Sequence, residues 1–246
     1  MPNRIFFFSD IDDTLIQTRR KTNFTRDTVV GGYTKDGDEN SFFYKGTKLF
    51  IDTIIEAGIT FIPTTARNID SYNRTVLASD KSIRYAILNF GGVILIDGEI
   101  DRVWQNKIAD EYSQILSMQE IYTTIQKELK RTNEELVIKV IDDFYLSIYN
   151  KFNLNNKGVL DSVRAILNEF LSENRDFYLY ENDNSFAILP NCLNKKFAVE
   201  YLIERYTPIL TLGAGDNISD LDFMSLADFK IVPQKVSIEL IGDRDV

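Results

Sequence analysis

Four short apolar runs constrain this chain more than any other feature: residues 5–8, 59–62, 85–88 and 209–212, the second and last each with one threonine. Each is too short for a helix, and a strand whose apolar residues are continuous rather than alternating must be covered on both faces. Helical patterns lie between the runs. Residues 48–57 set Leu49, Thr53, Ile54 and Ala57 on one face, with Gly58 as the stop. Residues 194–206 group Phe197, Ala198, Tyr201 and Leu202, with Arg205 near the C-terminal end, where a cation suits the helix dipole. Strand–helix–strand order predicts an α/β fold built on a doubly wound, Rossmann-like parallel sheet. Residues 19–46, polar with scattered aromatics and Gly31-Gly32, read as a long loop near the site.

The middle of the chain breaks this pattern. Residues 105–130 are polar with Ile108, Tyr112, Ile115 and Leu116 at helical spacing. Strand-like runs follow at 136–141 and 144–152 around Asp142-Asp143, then a helical stretch over 159–171. A second hairpin spans 177–180 and 186–189 across Asn182-Asp183-Asn184. Helix, hairpin, helix, hairpin describes a smaller α+β domain over 105–186, inserted into a core made of 1–104 and 187–246.

Composition limits the chemistry. None of the 246 residues is a histidine, which removes Ser-His-Asp and Cys-His hydrolysis and histidine-ligated zinc. The one cysteine, Cys192, excludes an internal disulfide or a multi-thiolate metal site. A formal net charge of −9 argues against a nucleic-acid partner. No apolar run approaches the ~18 residues of a membrane helix, and the start of the chain does not read as a signal peptide. A cytoplasmic protein is the expectation, its oligomeric state left open. Catalysis must run on carboxylates, lysine, hydroxyls or a hard metal ion.

Those groups cluster after the apolar runs, where an open α/β sheet binds its ligand. The first run ends in Asp10-Ile11-Asp12-Asp13-Thr14. Carboxylates this close repel one another unless a cation neutralises them, and Mg²⁺ is the natural hard ion. A calcium loop of the EF-hand kind is excluded, since Leu15 stands where it needs glycine. The second run leads to Pro63-Thr64-Thr65-Ala66-Arg67, offering a hydroxyl and backbone N–H groups to a phosphate oxygen. Lys195 opens a later helix. The last run leads to Gly213-Ala214-Gly215-Asp216-Asn217-Ile218-Ser219-Asp220, which departs from a dinucleotide-binding fingerprint and adds acidic ligands.

In this order, aspartate-x-aspartate-x-threonine, Thr-Ala-Arg, a downstream lysine and Gly-Asp-x-x-x-Asp resemble the four motifs of the haloacid dehalogenase superfamily. The inserted unit, Asn89-Phe90-Gly91-Gly92 and the stretch Ala227 to Pro233 are similar to its Cof-type and sucrose-phosphate-phosphatase-like branch. Ser219, Ala66 and Lys196 differ from the residues frequent there. The resemblance implies that Asp10 attacks phosphorus, forming an aspartyl-phosphate, with Asp12 as acid and then base. It implies Mg²⁺ held by Asp10, the Asp12 backbone carbonyl, Asp216 and Asp220, and phosphoryl oxygens held by Thr65, Ala66 and Lys195. Arg67, Asn89 and Asn217 would face the substrate, a small phosphate ester such as a sugar phosphate. The insert would be a cap, with Lys139, Arg175 and Glu181 as candidate contacts. A phosphomutase and a non-catalytic metabolite-binding protein are the alternatives.

Overall fold

The first apolar run becomes β1 (Ile5–Ser9), with Phe6 and Phe7 fully buried on opposite sides of the strand. The structure, a computed structural model, describes residues 4–130, 136–150, 157–182 and 185–233. Next come β2 (Ile16–Thr18), β3 (Thr28–Tyr33) and β4 (Glu39–Tyr44), an antiparallel sheet in the order β2-β4-β3. The long loop expected over 19–46 is therefore a small sheet. Gly31-Gly32 lies inside β3 rather than at a turn, because the strand passes too close to its neighbours for a side chain. A Cβ on Gly31 would sit 2.8 Å from Ile16 Cγ2.

α1 (Lys45–Glu56) runs on to Gly58, whose φ of +84° ends it as expected. Its buried face carries Ile51 and Ile54, while Leu49 is 66% exposed. The consecutive apolar residues Leu49, Phe50 and Ile51 fit more than one helical phase, and the isoleucines take the inside. β5 (Thr60–Pro63), the single-turn α2 (Ile69–Tyr72) and α3 (Val76–Ser79), β6 (Tyr85–Leu88), β7 (Val93–Ile96) and β8 (Glu99–Ile100) follow.

α4 (Arg102–Tyr112) carries the chain into a second compact unit, Asn106–Leu193, distinct from Met1–Gln105 with Asn194–Val246. It holds α5 (Met118–Leu129), β9 (Leu136–Ile141), β10 (Tyr145–Asn150), α6 (Lys157–Glu173), β11 (Phe177–Asn182) and β12 (Ser185–Pro190). The strands form an antiparallel sheet in the order β11-β12-β10-β9. Ile121, Ile125, Leu146, Ile148, Val163, Leu167 and Ile188 are its buried core. Ser117 and Glu120 form a capping box that starts α5 afresh, so the helical stretch expected over 105–130 is two helices. Asp142 and Asp143 turn the first hairpin at positive φ, as the small polar side chain allows. Residues 151, 152, 183 and 184, parts of the expected hairpins, lie outside the described residues. Because β12 hydrogen-bonds between β11 and β10, this unit runs to Leu193, past the boundary expected at 186.

Cys192 closes this unit, and burial, with Glu111 adding, pushes its thiol up to about 11. Against an ordinary thiol near ~8.5, the thiolate fraction at pH 8 falls by roughly 10². Ellman's reagent at pH 8 is therefore expected to react at least about tenfold more slowly than with free cysteine, since the greater nucleophilicity of a more basic thiolate offsets part of that loss. A rate equal to that of free cysteine would refute the raised thiol.

The chain then returns through α7 (Lys195–Tyr206), β13 (Leu210–Ala214), α8 (Asp220–Met224) and β14 (Phe229–Ile231). The first unit's main sheet is parallel in the order β14-β13-β1-β5. Phe6 packs its ring on Tyr206 of α7, and Phe7 packs on Phe50 of α1, so helices cover both faces. This is the doubly covered arrangement expected of continuously apolar strands, Thr60 and Thr211 being the exceptions within them. The run at 85–88 departs from it. β6 meets the parallel sheet through one bridge, Thr64 with Ile87, and otherwise pairs antiparallel with β7. On α7 the buried residues are Lys195, Ala198, Val199 and Leu202, with Phe197 turned outward, a rotation made by the Asn194 cap.

Candidate active site

The carboxyl ends of β1, β5 and β13 converge, and backbone bonds fix their spacing. Asp10 N–H donates to the Ala214 carbonyl at 2.8 Å, and Thr64 N–H to the Ser9 carbonyl at 2.7 Å. Asp10 is therefore held between two strands before its side chain is considered. Lys195 reaches it from the first turn of α7, where Asn194 accepts from Lys196 N–H and caps the helix. Its Nζ donates to Asp10 Oδ1 and to Asp220 Oδ1, each at 2.7 Å. The lysine that meets Asp10 is thus Lys195 and not its neighbour Lys196. The Thr14 hydroxyl lies 3.2 Å from Asp10 Oδ2 and 2.9 Å from Asp216 Oδ1, able to donate to either.

Asp10, Asp216 and Asp220 each place one carboxylate oxygen within 4.8 Å of the others. Ligands about 2.1 Å from a single Mg²⁺ lie at most ~4.2 Å apart. The trio is close to the size of one hard ion, and its oxygen-only donors suit Mg²⁺. Electrostatics point the same way. Burial raises Asp10 well above the usual carboxylate range; Asp220 and Asp12 add to this, and Lys195 opposes it. Burial likewise pushes Asp216 up to about 6 despite the Thr14 hydrogen bond, with Asp220 and Asp13 adding. Burial alone would favour neutral Lys195, but Asp10 and Asp220 outweigh it, and its pKa rises. Both rises come first from burial, which disfavours the charged form, and a bound cation would offset that cost.

Asp12 does not join the trio. Its carboxylate is gripped by Arg67, whose Nε donates to Oδ2 and Nη2 to Oδ1, both at 2.7 Å. Thr65 is buried, and its Oγ1 accepts from Arg67 N–H at 3.2 Å, with Ala66 between them in the same turn. Asn89 is fully buried, its N–H donating to the Arg67 carbonyl at 2.8 Å. Asn217 donates its backbone N–H to Asp220 Oδ2, while its side chain accepts from Ser219. In the second unit Glu181 is paired with Arg164, and Lys139 lies 5.7 Å over the Tyr149 ring. The sequence reading gave no role to Thr14, though the third member of Asp-x-Asp-x-Thr was the signal.

Two glycines make the close approaches possible. A Cβ on Gly215 would stand 2.4 Å from Asp220 Cβ. Gly91, at φ +100°, would put a Cβ 2.6 Å from the Asn194 carbonyl oxygen, just ahead of Lys195. Gly215→Ala is expected to displace Asp220 and lower turnover at least about tenfold, with Mg²⁺ affinity falling too, because a 1 Å misplacement can cost ~10²-fold. Unchanged Mg²⁺ titration and turnover would show that the contact relaxes without consequence.

No protein-family model and no curated protein matches the chain. Solved structures do. The sucrose-phosphatase of Synechocystis sp., in complex with sucrose and phosphate, is 14% identical and superposes at a TM-score of 0.62, over 98% of this chain and 86% of its own. A haloacid dehalogenase-like hydrolase from Bacteroides thetaiotaomicron is also 14% identical, at a TM-score of 0.56, over 93% of this chain and 94% of its own. This chain has the haloacid dehalogenase-like fold. The C-terminal domain of trehalose-6-phosphate phosphatase from C. albicans shares it at 13% identity and a TM-score of 0.57, over 91% of this chain and 73% of that one. In the haloacid dehalogenase-like frame the acidic trio and Lys195 occupy the carboxyl end of the parallel sheet, the position from which such a sheet meets its ligand.

Proposed function

We propose that this chain is a Mg²⁺-dependent phosphomonoesterase that hydrolyses a small phosphorylated metabolite, a sugar phosphate first of all, through an aspartyl-phosphate on Asp10. The observation that carries the reading is Asp10 itself: a buried carboxylate with one oxygen on Lys195, beside Asp216 and Asp220. The fold shared with a sucrose-phosphatase and a trehalose-6-phosphate phosphatase favours sugar phosphates.

Asp10, Asp216, Asp220 and the Asp12 carbonyl would hold the ion, which when bound supplies positive charge that lets a phosphate dianion approach a carboxylate. Asp10 attacks phosphorus as the P–O bond to the leaving group breaks. Lys195 and Thr65 meet the charge spread over the phosphoryl oxygens with fixed donors. Asp12 gives a proton to the departing alkoxide and later takes one from the water that releases phosphate. The inserted domain, Asn106–Leu193, would act as a cap and read the leaving group. A cytoplasmic small-molecule enzyme without nucleic-acid or membrane partners fits this reading, and no described helix is long and apolar enough to cross a membrane.

A panel of sugar phosphates, assayed for inorganic phosphate, tests the proposal. At least one is expected to be hydrolysed, with activity lost on chelation, restored by Mg²⁺ and poorly restored by Ca²⁺. Isomer formation without phosphate release would make the enzyme a mutase. Undiminished activity after exhaustive chelation would remove the metal.

A further inference from the structure

Both oxygens of Asp12 are taken by one side chain. The two 2.7 Å bonds from Arg67 are parallel, the geometry in which a guanidinium fixes a carboxylate in orientation as well as position. Arg67 is itself anchored. Its Nη1 donates to the Ser71 carbonyl at 3.2 Å, its N–H to Thr65 Oγ1 at 3.2 Å, and its carbonyl accepts from Asn89 at 2.8 Å. Solvent reaches 17% of the Arg67 side chain but 43% of Asp12's. A mostly covered, tethered cation thus presents a half-open carboxylate.

We propose that Arg67 is a positioning residue for proton transfer by Asp12, rather than a contact to the substrate; the inference rests on the phosphatase reading above. Three of the five guanidinium N–H groups are already committed, two to Asp12 and one to Ser71. When the P–O bond breaks, its electron pair goes to the ester oxygen. The Asp12 proton moves to that oxygen and leaves a carboxylate, whose charge the fork of Arg67 is placed to meet. In the second step Asp12 takes a proton from the attacking water and regains its acid form, so protons balance over the cycle. Both transfers require the carboxylate at a fixed angle to its partner.

Two substrates separate this role from others: a primary sugar phosphate, whose strongly basic alkoxide needs a proton, and p-nitrophenyl phosphate, whose phenolate leaves without one. The informative quantity is kcat/KM, which covers the steps through departure of the alcohol and excludes hydrolysis of the intermediate. Arg67→Gln is expected to lower the sugar-to-nitrophenyl ratio of kcat/KM about 10²-fold, within the range of general-acid contributions. Asp12→Asn should lower it at least as much, and the double variant no further. Arg67→Lys, which keeps the charge but loses the fork, should fall between. An unchanged ratio in Arg67→Gln, both esters losing alike, would overturn the proposal and leave Arg67 to phosphoryl binding or folding. Should circular dichroism show Arg67→Gln unfolded, the same ratio in Arg67→Lys decides. A wild-type protein that hydrolyses neither ester defeats the phosphatase reading itself.

Discussion

Asp10→Asn is expected to lower turnover on the best sugar phosphate by about 10³-fold or more, the scale seen when a covalent nucleophile is removed, while the protein stays folded. The two halves of this expectation have one cause. Burial raises the Asp10 carboxyl far above its ordinary value, so the folded chain holds that proton more tightly than the unfolded chain does. Stability from such a group is present at low pH and lost as pH rises through its folded value. Burial thus makes the ionised form that the chemistry needs a cost to stability. Asparagine keeps the shape. Its carbonyl can still accept from Lys195, which also keeps Asp220, and the Thr14 hydroxyl can donate to Asp216 and accept from the new amide. The thermal midpoint should stay level or rise by up to about 4 °C. Phosphate release and thermal circular dichroism on the same preparation check both halves. More than about 5% residual activity would remove Asp10 as nucleophile, and a large fall in midpoint would refute the stability argument.

The elements that position Asp10 were legible because they are governed by short-range rules. Short apolar strands, a strand end rich in aspartate and a helix stopped by Gly58 each carry their signal within a few residues. Other features depend on what the chain meets elsewhere. β7 turns back antiparallel on β6 through Asn89, Phe90 and Gly91, all at positive φ, and while asparagine and glycine tolerate that conformation nothing in a phenylalanine announces it. Gly31-Gly32 resembles a turn in sequence and is a strand under steric pressure in space. Two adjacent lysines are equivalent as sequence; the Asn194 cap sets the helix phase that buries one of them. Arg67 could be recognised as a fork-shaped cation near a strand end, yet its partner lies 55 residues away. The chemistry of each side chain was readable, and its partner was a tertiary fact.

Lys195→Met is expected to be the most destabilising single change in the first unit. Lys195 and Asp220 show 7% and 1% of their side chains to solvent, and Asp10 8%. Removing the ammonium leaves two buried carboxylates facing each other, and breaking a buried pair from one side costs about 3–5 kcal/mol. For a chain of this size that corresponds to a fall of roughly 10 °C in the thermal midpoint. The sign of the pH dependence follows from the same charges. With no lysine to oppose it, burial and the neighbouring carboxylates push Asp10 up further, so the variant should regain stability as pH falls and Asp10 protonates. Mg²⁺ should act as a substitute cation, since a ligand that binds the folded state raises its midpoint by mass action. The Mg²⁺-induced shift is therefore expected to be larger in the variant than in the wild type, although turnover is lost in both the presence and the absence of the ion. Adding Asp220→Asn to Lys195→Met should recover most of the lost stability, because one of the two stranded charges is gone. Differential scanning calorimetry of the three proteins, with and without Mg²⁺, measures all of this. A midpoint within 2 °C of wild type for Lys195→Met, with no enlarged response to Mg²⁺, would mean that these buried charges are not coupled and that solvent already screens them.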